Sequence, residues 1–311
     1  MSVFEHSEFD AHEHVAFYSD PVTGLKAIIA IHNTNLGPSL GGCRMWPYLN
    51  SSEALTDVLR LSKGMTYKAA MANLQQGGGK AVIIGDPRKD KSEAFMQSMG
   101  RFVESLSGRY ITAEDSGITV DDLKAVATQT RHVAGTSAQY NALGETPTGN
   151  PAPSTAYGVF VGLKQTVKHV LGSDLQGVKV AIQGMGHVGY RLAKQLHAEG
   201  AELYVADIFP EGLERAQQEL GATVVAPEEI LTLPVDVLAP CAMGSSINDE
   251  SVPDIRAKII AGAANNQLAR EELGTVLHKK GICYAPDYVI NAGGIIDIYH
   301  QKQADSSDQA M

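Results

Sequence analysis

A glycine-rich segment between an apolar stretch and an amphipathic one constrains the fold of this chain more than any other feature. Residues 180–183 (VAIQ) lead into GMGHVG, which has the GxGxxG spacing. That spacing indicates a dinucleotide-binding turn when it joins a strand to a helix, as the flanking patterns predict here. The first glycine permits a tight turn, the second lets backbone approach a pyrophosphate, and the third allows close packing of helix on strand. The predicted cofactor-binding residues are Gly184, Met185, Gly186, His187, Val188 and Gly189.

Asp207 predicts which dinucleotide is bound. It follows the next apolar stretch, residues 202–206, at about the 20-residue distance that the dinucleotide fold requires. A carboxylate there accepts hydrogen bonds from the adenosine ribose and repels a 2′-phosphate. No arginine follows immediately. The sequence therefore predicts NAD rather than NADP.

The pattern around this segment predicts a doubly wound parallel sheet. Near-continuous apolar strands separated by helices are typical of a parallel sheet that is covered on both faces, and six strands match the dinucleotide-binding fold in number. A helix is expected over residues 157–169. The predicted strands cover residues 178–183, 202–206, 223–226, 235–239, 258–261 and 282–285.

The N-terminal part reads as a separate mixed α/β unit. Helical periodicity predicts a helix from Ser51 or Ser52 to about Ala72, after a glycine-rich turn, and residues 119–122 have the form of a capping box. A glycine- and proline-rich segment, residues 136–153, marks the approach to a domain boundary. The predicted strands cover residues 25–32, 81–84 and 110–113, with a helix over 93–106. We expect a catalytic domain at 1–140, a Rossmann domain at 141–290 and a return segment at 291–311.

Composition excludes several classes of protein. The 311 residues suffice for two domains, and a net charge of −10 argues against a nucleic-acid surface. No apolar run approaches the roughly 20 residues that span a bilayer. Cys43, Cys241 and Cys283 are isolated, which predicts a reducing cytoplasm and no thiolate metal site. The histidines near the N-terminus have no complementary ligand spacing, so we expect a solvated segment and no metal. They are His6, His12 and His14.

Two lysines and an aspartate occupy unusual positions in the N-terminal part. Lys68 lies near the end of the apolar helix, Lys80 follows three glycines, and Asp115 ends a strand-like segment. Consecutive glycines usually mark a close approach of the backbone to another group. The sequence GGGK does not complete a phosphate-binding loop, because Leu74 stands where the first glycine is required and Ala81 where Ser or Thr is required.

Several long motifs, distributed from residue 25 to residue 298, resemble the leucine branch of the Glu/Leu/Phe/Val dehydrogenase family. The resemblance implies an enzyme that oxidatively deaminates an L-amino acid to a 2-oxo acid and ammonia with reduction of NAD. It also implies a homo-oligomer. Members of the family usually continue past GGIIDIY through further helices, whereas this sequence stops at Met311. The motifs are GPSLGGCRMWPY, GMTYKAA, GGGKAVIIGDPRKDK, GRYITAED, GNPAPSTAYGV, AGAANNQL and YAPDYVINAGG.

The same resemblance implies roles for the polar residues. Lys68 and the Gly41-Gly42 turn would bind the substrate carboxylate, Lys80 would be the general acid and base, and Asp115 would exchange a proton with the substrate amine. The residues implied to lie beside the nicotinamide are Thr155, Asn266 and Asn291.

The implied side-chain pocket is aliphatic, which would leave a glutamate side chain desolvated without a partner. Ala113 leaves less room for an aromatic ring than a glycine would, and Ile295 and Ile298 are bulky. We therefore expect leucine, valine or isoleucine as substrate. A phenylalanine dehydrogenase and a catalytically silent NAD-binding amino-acid sensor are the alternatives, although a sensor should lack the lysines or the aspartate. The implied pocket residues are Leu40, Ala113, Ile295 and Ile298, with Met65 beside Lys68 on the helix.

Overall fold

The computed structural model describes residues 2–136 and 150–308, with side chains through Gln301. It divides into two compact units, Met1–Pro151 with Ile295–Met311 and Ala152–Gly294. The expected domain limit at residue 140 and most of the glycine- and proline-rich segment lie outside the described residues, so the predicted limits stay a prediction.

The first unit is built on a five-stranded sheet with the order β1-β2-β4-β3-β5. Strands β1 and β2, and β2 and β4, pair antiparallel, whereas β3 runs parallel to both β4 and β5. Helix α1 covers one face, and helices α2 and α3 cover the other. The elements are β1 (His14–Asp20), β2 (Leu25–Asn33), β3 (Ser39–Trp46), α1 (Ser51–Met71), β4 (Gly77–Ile84), α2 (Glu93–Ser105), β5 (Tyr110–Glu114) and α3 (Val120–Ala127).

The expectation of a glycine-rich turn before α1 is wrong, because Gly41 and Gly42 lie inside the buried strand β3. A Cβ on Gly41 would lie 1.7 Å from the Gly79 carbonyl oxygen, and one on Gly42 would lie 2.7 Å from the Asp115 Cβ. Glycine in a strand interior often marks a close backbone approach. The two glycines therefore let β3 fit tightly between its neighbours.

Strand β4 starts earlier than predicted. It begins at Gly77 rather than Ala81, so Lys80 lies within the strand and not at its start. A Cβ on Gly78 would lie 2.1 Å from the Thr66 backbone nitrogen in α1. The expected close approach is confirmed, and its partner is the backbone of α1.

Two local features near the N-terminus differ from expectation. The helix cap of α1 is Asn50, whose Oδ1 accepts the Glu53 N–H at 3.0 Å, rather than a serine. His12 is buried and not solvated, with Nε2 3.0 Å from the Leu59 carbonyl oxygen. Burial lowers the pKa of His12 to about 4. The histidine is thus a neutral packing residue.

The capping box at residues 119–122 is confirmed.

The second unit confirms the doubly wound parallel sheet. Its six strands have the order β11-β10-β9-β6-β7-β8, and every pair is parallel. The order reverses between β6 and β9, where open sheets of this type bind ligands. The elements are α4 (Ala152–Leu171), β6 (Lys179–Gln183), α5 (His187–Ala198), β7 (Glu202–Ala206), α6 (Pro210–Leu220), β8 (Thr223–Val224), β9 (Val237–Pro240), β10 (Ile259–Ile260), α7 (Leu273–Lys279), β11 (Cys283–Tyr284) and α8 (Asp287–Ile290).

Helix α9 (Gly293–Asp308) starts in the second unit and belongs to the first unit from Ile295 onward. Within the first unit, the Tyr299 hydroxyl lies 3.4 Å from the Gln75 backbone nitrogen. Every helix in the described part of the chain falls short of the length or the hydropathy that a membrane span requires. The same part of the chain contains no cluster of three potential metal ligands.

Candidate active site

Lys80 and Asp115 are in contact in the interior of the first unit. Lys80, on β4, is 4% exposed, and its Nζ donates a hydrogen bond to Asp115 Oδ2. Asp115 directly follows β5, and its Oδ1 accepts the Ser116 N–H at 2.6 Å. A buried lysine needs a partner. The structure therefore brings together the two residues to which the family resemblance assigned the proton transfers.

Arg44 is a third charged residue at this pair, and the sequence reasoning missed it. It is buried on β3, with Nε 3.7 Å from Asp115 Oδ2 and Nη1 2.9 Å from Asp57 Oδ2. The Tyr48 hydroxyl donates to the same Asp57 oxygen at 2.6 Å. The alternation of side chains between the two faces of β3 could have revealed Arg44. Positions 40, 42 and 44 share the face that β3 presents to α1, so an arginine there had to be buried with a partner.

The two cations set the charge state of Asp115. Burial alone would raise the pKa of this carboxyl, but the charges of Lys80 and Arg44 and the hydrogen bonds to Lys80 and Ser116 lower it well below its usual range. Burial opposes the charge of Arg44 as well, yet Asp115 and Asp57 together raise the pKa of the guanidinium. Asp115 is therefore a carboxylate, and Arg44 is a permanent cation beside it.

Lys68 is buried in the same unit, near the end of α1. It lies two residues beyond Thr66, which contacts Gly78, and Gly78 lies two residues before Lys80. Met65 is half-buried one turn before Lys68. The tight packing of α1 on β4 thus holds both lysines on elements in direct contact.

All four residues of the expected side-chain pocket are buried and belong to the first unit. Leu40 pairs with Gly78 on one side and Ile111 on the other, and Ala113 pairs with Gly42. This register places Leu40 and Ala113 on the same face of the sheet as Lys80. Ile295 and Ile298 lie on α9.

The second unit has the geometry that a dinucleotide requires at its glycine-rich turn. Gly184 has φ +98°, and a Cβ on Gly189 would lie 2.0 Å from the Gly184 carbonyl oxygen. A Cβ on Gly186 would meet no atom of the described residues within 4 Å. In that part of the chain, no side chain caps the N-terminus of α5, which starts at His187. The three glycines therefore match the turn, the open approach and the close packing in the predicted order, and the helix offers backbone N–H groups to an anion.

Asp207 lies at the end of β7, beside this turn. Its Oδ2 accepts the Met185 N–H at 2.5 Å and its Oδ1 accepts the Phe209 N–H at 2.9 Å. The carboxylate thus fixes the backbone of the turn and remains partly exposed. An acidic group at this position suits ribose hydroxyls.

Three further predicted residues lie in the second unit. Asn291 is buried, and its Nδ2 donates to the Ala263 carbonyl oxygen at 3.0 Å, while its Oδ1 has no hydrogen-bond partner among the described residues. Asn266 has φ +50°, and its N–H donates to Asp287 Oδ2 at 2.6 Å. Thr155 is half-buried in the first turn of α4.

Comparison with known proteins gives a consistent result for both units. Residues 11–132 match the Glu/Leu/Phe/Val dehydrogenase dimerisation domain, and residues 150–208 and 209–310 match the Glutamate/Leucine/Phenylalanine/Valine dehydrogenase domain. A leucine dehydrogenase of Bacillus cereus is 51% identical over 312 residues, covering 100% of this chain and 84% of the relative.

Two relatives with aromatic substrates in their names are nearly as similar. An L-tryptophan dehydrogenase of Nostoc punctiforme is 48% identical, covering 100% of this chain and 86% of its own. Its crystal structure matches with a TM-score of 0.69 at 47% identity, over 94% of this chain and 82% of that one. A phenylalanine dehydrogenase of Lysinibacillus sphaericus is 48% identical over 96% of this chain and 79% of its own.

The doubly wound sheet with its GxGxxG turn, preceded by an α/β unit with a buried lysine–aspartate pair, defines an oxidoreductase with a nucleotide-binding domain. The chain belongs to the Glu/Leu/Phe/Val dehydrogenase family and is an amino-acid dehydrogenase.

Proposed function

We propose that this enzyme oxidatively deaminates branched-chain L-amino acids, with NAD as the electron acceptor. The observation that carries the proposal is the buried contact of Lys80 with Asp115, on the same sheet face as the aliphatic residues Leu40 and Ala113. A lysine and a carboxylate in contact can accept and return protons without help from bulk water. An apolar neighbourhood favours an aliphatic substrate side chain.

The residues of the first unit bind the substrate and move its protons. Lys68 attracts the substrate carboxylate, and Asp115 takes a proton from the ammonium group so that the amine nitrogen has a free electron pair. NAD, when bound, would supply the acceptor for the hydride of the substrate α-carbon. Lys80 then removes a proton from the water that attacks the resulting iminium carbon and passes it to the nitrogen of the carbinolamine. As the C–N bond breaks, Lys80 takes the hydroxyl proton and the carbonyl forms, and Asp115 releases its own proton to solvent. The products are a 2-oxo acid and ammonia.

Specificity for NAD is proposed from the second unit. The backbone N–H groups at Gly186 and His187 would bind the pyrophosphate, and Asp207 would bind the ribose and repel a 2′-phosphate. Thr155, Asn266 and Asn291 would contact the nicotinamide. Asn291 supports this role, because it holds an unused buried oxygen that can accept a hydrogen bond from a carboxamide.

We also propose that the enzyme works as a homo-oligomer in the cytoplasm. The family description of the first unit as a dimerisation domain supports assembly through this unit. Light scattering on the purified enzyme tests the assembly. A mass that remains that of one chain across micromolar concentrations would contradict it.

A panel of L-amino acids assayed for NAD reduction, with NADP in parallel, tests the proposed substrate class. We expect leucine, valine and isoleucine to give higher kcat/KM than phenylalanine, tryptophan or glutamate. A preference for phenylalanine or tryptophan would replace the branched-chain proposal with an aromatic one, in line with the two relatives named above.

Ala113→Gly sharpens this assay. Removing the Cβ on the pocket face should raise the ratio of phenylalanine to leucine turnover by roughly tenfold, since apolar pockets discriminate by about 1–3 kcal/mol per methylene. Ala81→Gly is the matched control, because Ala81 is buried on β4 of the same sheet and packs toward α2 and α3. An equal change in the control would remove Ala113 from the pocket.

A further inference from the structure

Arg44 connects the helix α1 to the catalytic pair. Its guanidinium lies between Asp57, on α1, and Asp115, after β5, and its side chain is 6% exposed. We infer that Arg44 is a positioning residue that orients Asp115 and holds it as a carboxylate between its proton transfers, while Lys80 gains and loses its own proton. This inference rests on the proton-transfer roles proposed above for Lys80 and Asp115.

The need for a third charge follows from burial. A buried ammonium and carboxylate in contact can neutralise each other by passing one proton, because a low-dielectric interior disfavours separated charges. When Lys80 is deprotonated during turnover, Asp115 would be left as a lone buried anion. An arginine side chain does not lose its proton in proteins, so Arg44 remains a counter-charge at every stage.

Asp57 and Tyr48 explain why Arg44 can serve this purpose. Asp57 accepts a hydrogen bond from Arg44 Nη1 at 2.9 Å and one from the Tyr48 hydroxyl at 2.6 Å. With Lys80 protonated, the four groups Lys80, Arg44, Asp57 and Asp115 balance in charge. Asp57 therefore compensates the buried charge of Arg44 and fixes the guanidinium, whose Nε lies 3.7 Å from Asp115 Oδ2.

The other groups facing Asp115 do not supply this charge. Burial raises the pKa of the Cys43 thiol on β3 and of the Tyr110 phenol on β5, so both are neutral. Burial, Asp115 and Asp122 of α3 raise the pKa of Glu114 to about 7. Glu114 and Asp122 are acidic and can only disfavour the anion. Among the described residues, Lys80 and Arg44 form ion pairs with Asp115.

The pH profile of reductive amination separates this role from a merely structural one. In this direction Lys80 starts protonated, and the acid limb reports protonation of Asp115. In Arg44→Gln the limb should move to higher pH by about 1 unit or more, because a nearby opposite charge lowers a carboxyl pKa by about 1–3 units. Arg44→Lys should restore most of the wild-type profile. Arg101→Gln, which removes a surface arginine paired with Asp20, is the matched control and should leave the limb in place.

Asp57→Asn should not move the acid limb to higher pH. It keeps the guanidinium but removes its second anion, so the limb should stay in place or move to lower pH. Should Arg44→Gln not fold, the double variant Arg44→Met, Asp57→Leu removes both charges of this ion pair together and should shift the limb upward in the same way.

An unshifted limb in a folded variant that lacks the Arg44 charge would overturn the inference, and so would an upward shift in Asp57→Asn. Either result leaves the proposed function standing if Lys80→Ala abolishes turnover. If the wild-type enzyme were inactive on every amino acid of the panel, that result would instead contradict the proposed function.

Discussion

Gly77, Gly78 and Gly79 of the first unit are packed closely against other residues, whereas Gly186, the central glycine of the turn in the second unit, faces open space. A Cβ on Gly78 would collide with the Thr66 nitrogen at 2.1 Å, and one on Gly79 would lie 2.7 Å from Ser39 Oγ. A Cβ on Gly186 would meet none of the described atoms within 4 Å. In sequence both segments are rich in glycine. In the structure one brings protein elements together and the other leaves room for a ligand.

The difference also extends to charge. The first unit surrounds buried side-chain charges with their partners, as at Lys80, Arg44 and Asp115. The glycine-rich turn of the second unit presents backbone dipoles at the start of α5 and a partly exposed carboxylate at Asp207. Side chains that move protons need a fixed, dry environment, and a site for a large exchangeable cofactor needs accessible donors.

The largest expected effect is that of Gly78→Ala on folding. The added methyl group would overlap backbone and side-chain atoms of Thr66 and push α1 away from β4. Overpacking typically costs about 1–3 kcal/mol and sometimes more, and we expect at least about 3 kcal/mol here because backbone atoms cannot rotate away. Urea denaturation measures the loss. A variant as stable as the wild type would show that this segment is a loop with free space.

Gly186→Ala should have a smaller effect of a different kind. Its φ of −72° suits alanine and its Cβ would meet open space, so the free energy of unfolding should change by less than about 0.5 kcal/mol. The methyl group would occupy the approach to the pyrophosphate. Affinity for NAD, measured by fluorescence titration, should fall by at least about tenfold, or ~1.4 kcal/mol. Unchanged affinity would place the cofactor elsewhere.

The smallest expected effect concerns Glu114, a carboxyl without a partner for its Oε2 among the described residues. Burial first, and then Asp115 and Asp122, raise its pKa from 4.5 to about 7. The folded state therefore holds this proton more tightly than the unfolded state, so the stability contributed by Glu114 is lost as pH rises from 4.5 to 7.

Glu114→Gln removes that titration. The variant should lose less stability than the wild type between pH 5 and pH 8, with a difference below about 1 kcal/mol because the half-buried group keeps some water. Denaturation midpoints at the two pH values measure it. Glu202→Gln, an exposed change in the second unit, should not alter the pH dependence. A Glu114→Gln variant that follows the wild-type pH dependence would contradict this assignment.

Local patterns predicted the second unit well. Its strands alternate with helices and each element carries its own signal, so the six parallel strands and the turn at Gly184 and Gly186 could be predicted from neighbouring residues alone. The close approach at the three glycines and the strand-end position of Asp115 were predictable for the same reason.

Features that depend on distant residues were not predictable in this way. Strand β3 reads as a turn because Gly41 and Gly42 are adjacent, and only its packing against Gly79 and Asp115 explains them. The role of Arg44 depends on Asp57 and Asp115, which lie 13 and 71 residues later in the chain and contact Arg44 only in the fold. His12 likewise becomes a core residue through Leu59 on α1.

The central claim is that the buried pair of Lys80 and Asp115 carries the deamination chemistry, while the cofactor is bound by the other unit. Comparison of turnover and NAD affinity in Lys80→Ala tests it most directly, with the exposed Lys26→Ala as control. We predict that Lys80→Ala loses about 10²–10⁴-fold in kcat for amino-acid oxidation and binds NAD as the wild type does. Near-normal turnover in Lys80→Ala, with the control unchanged, would contradict the account.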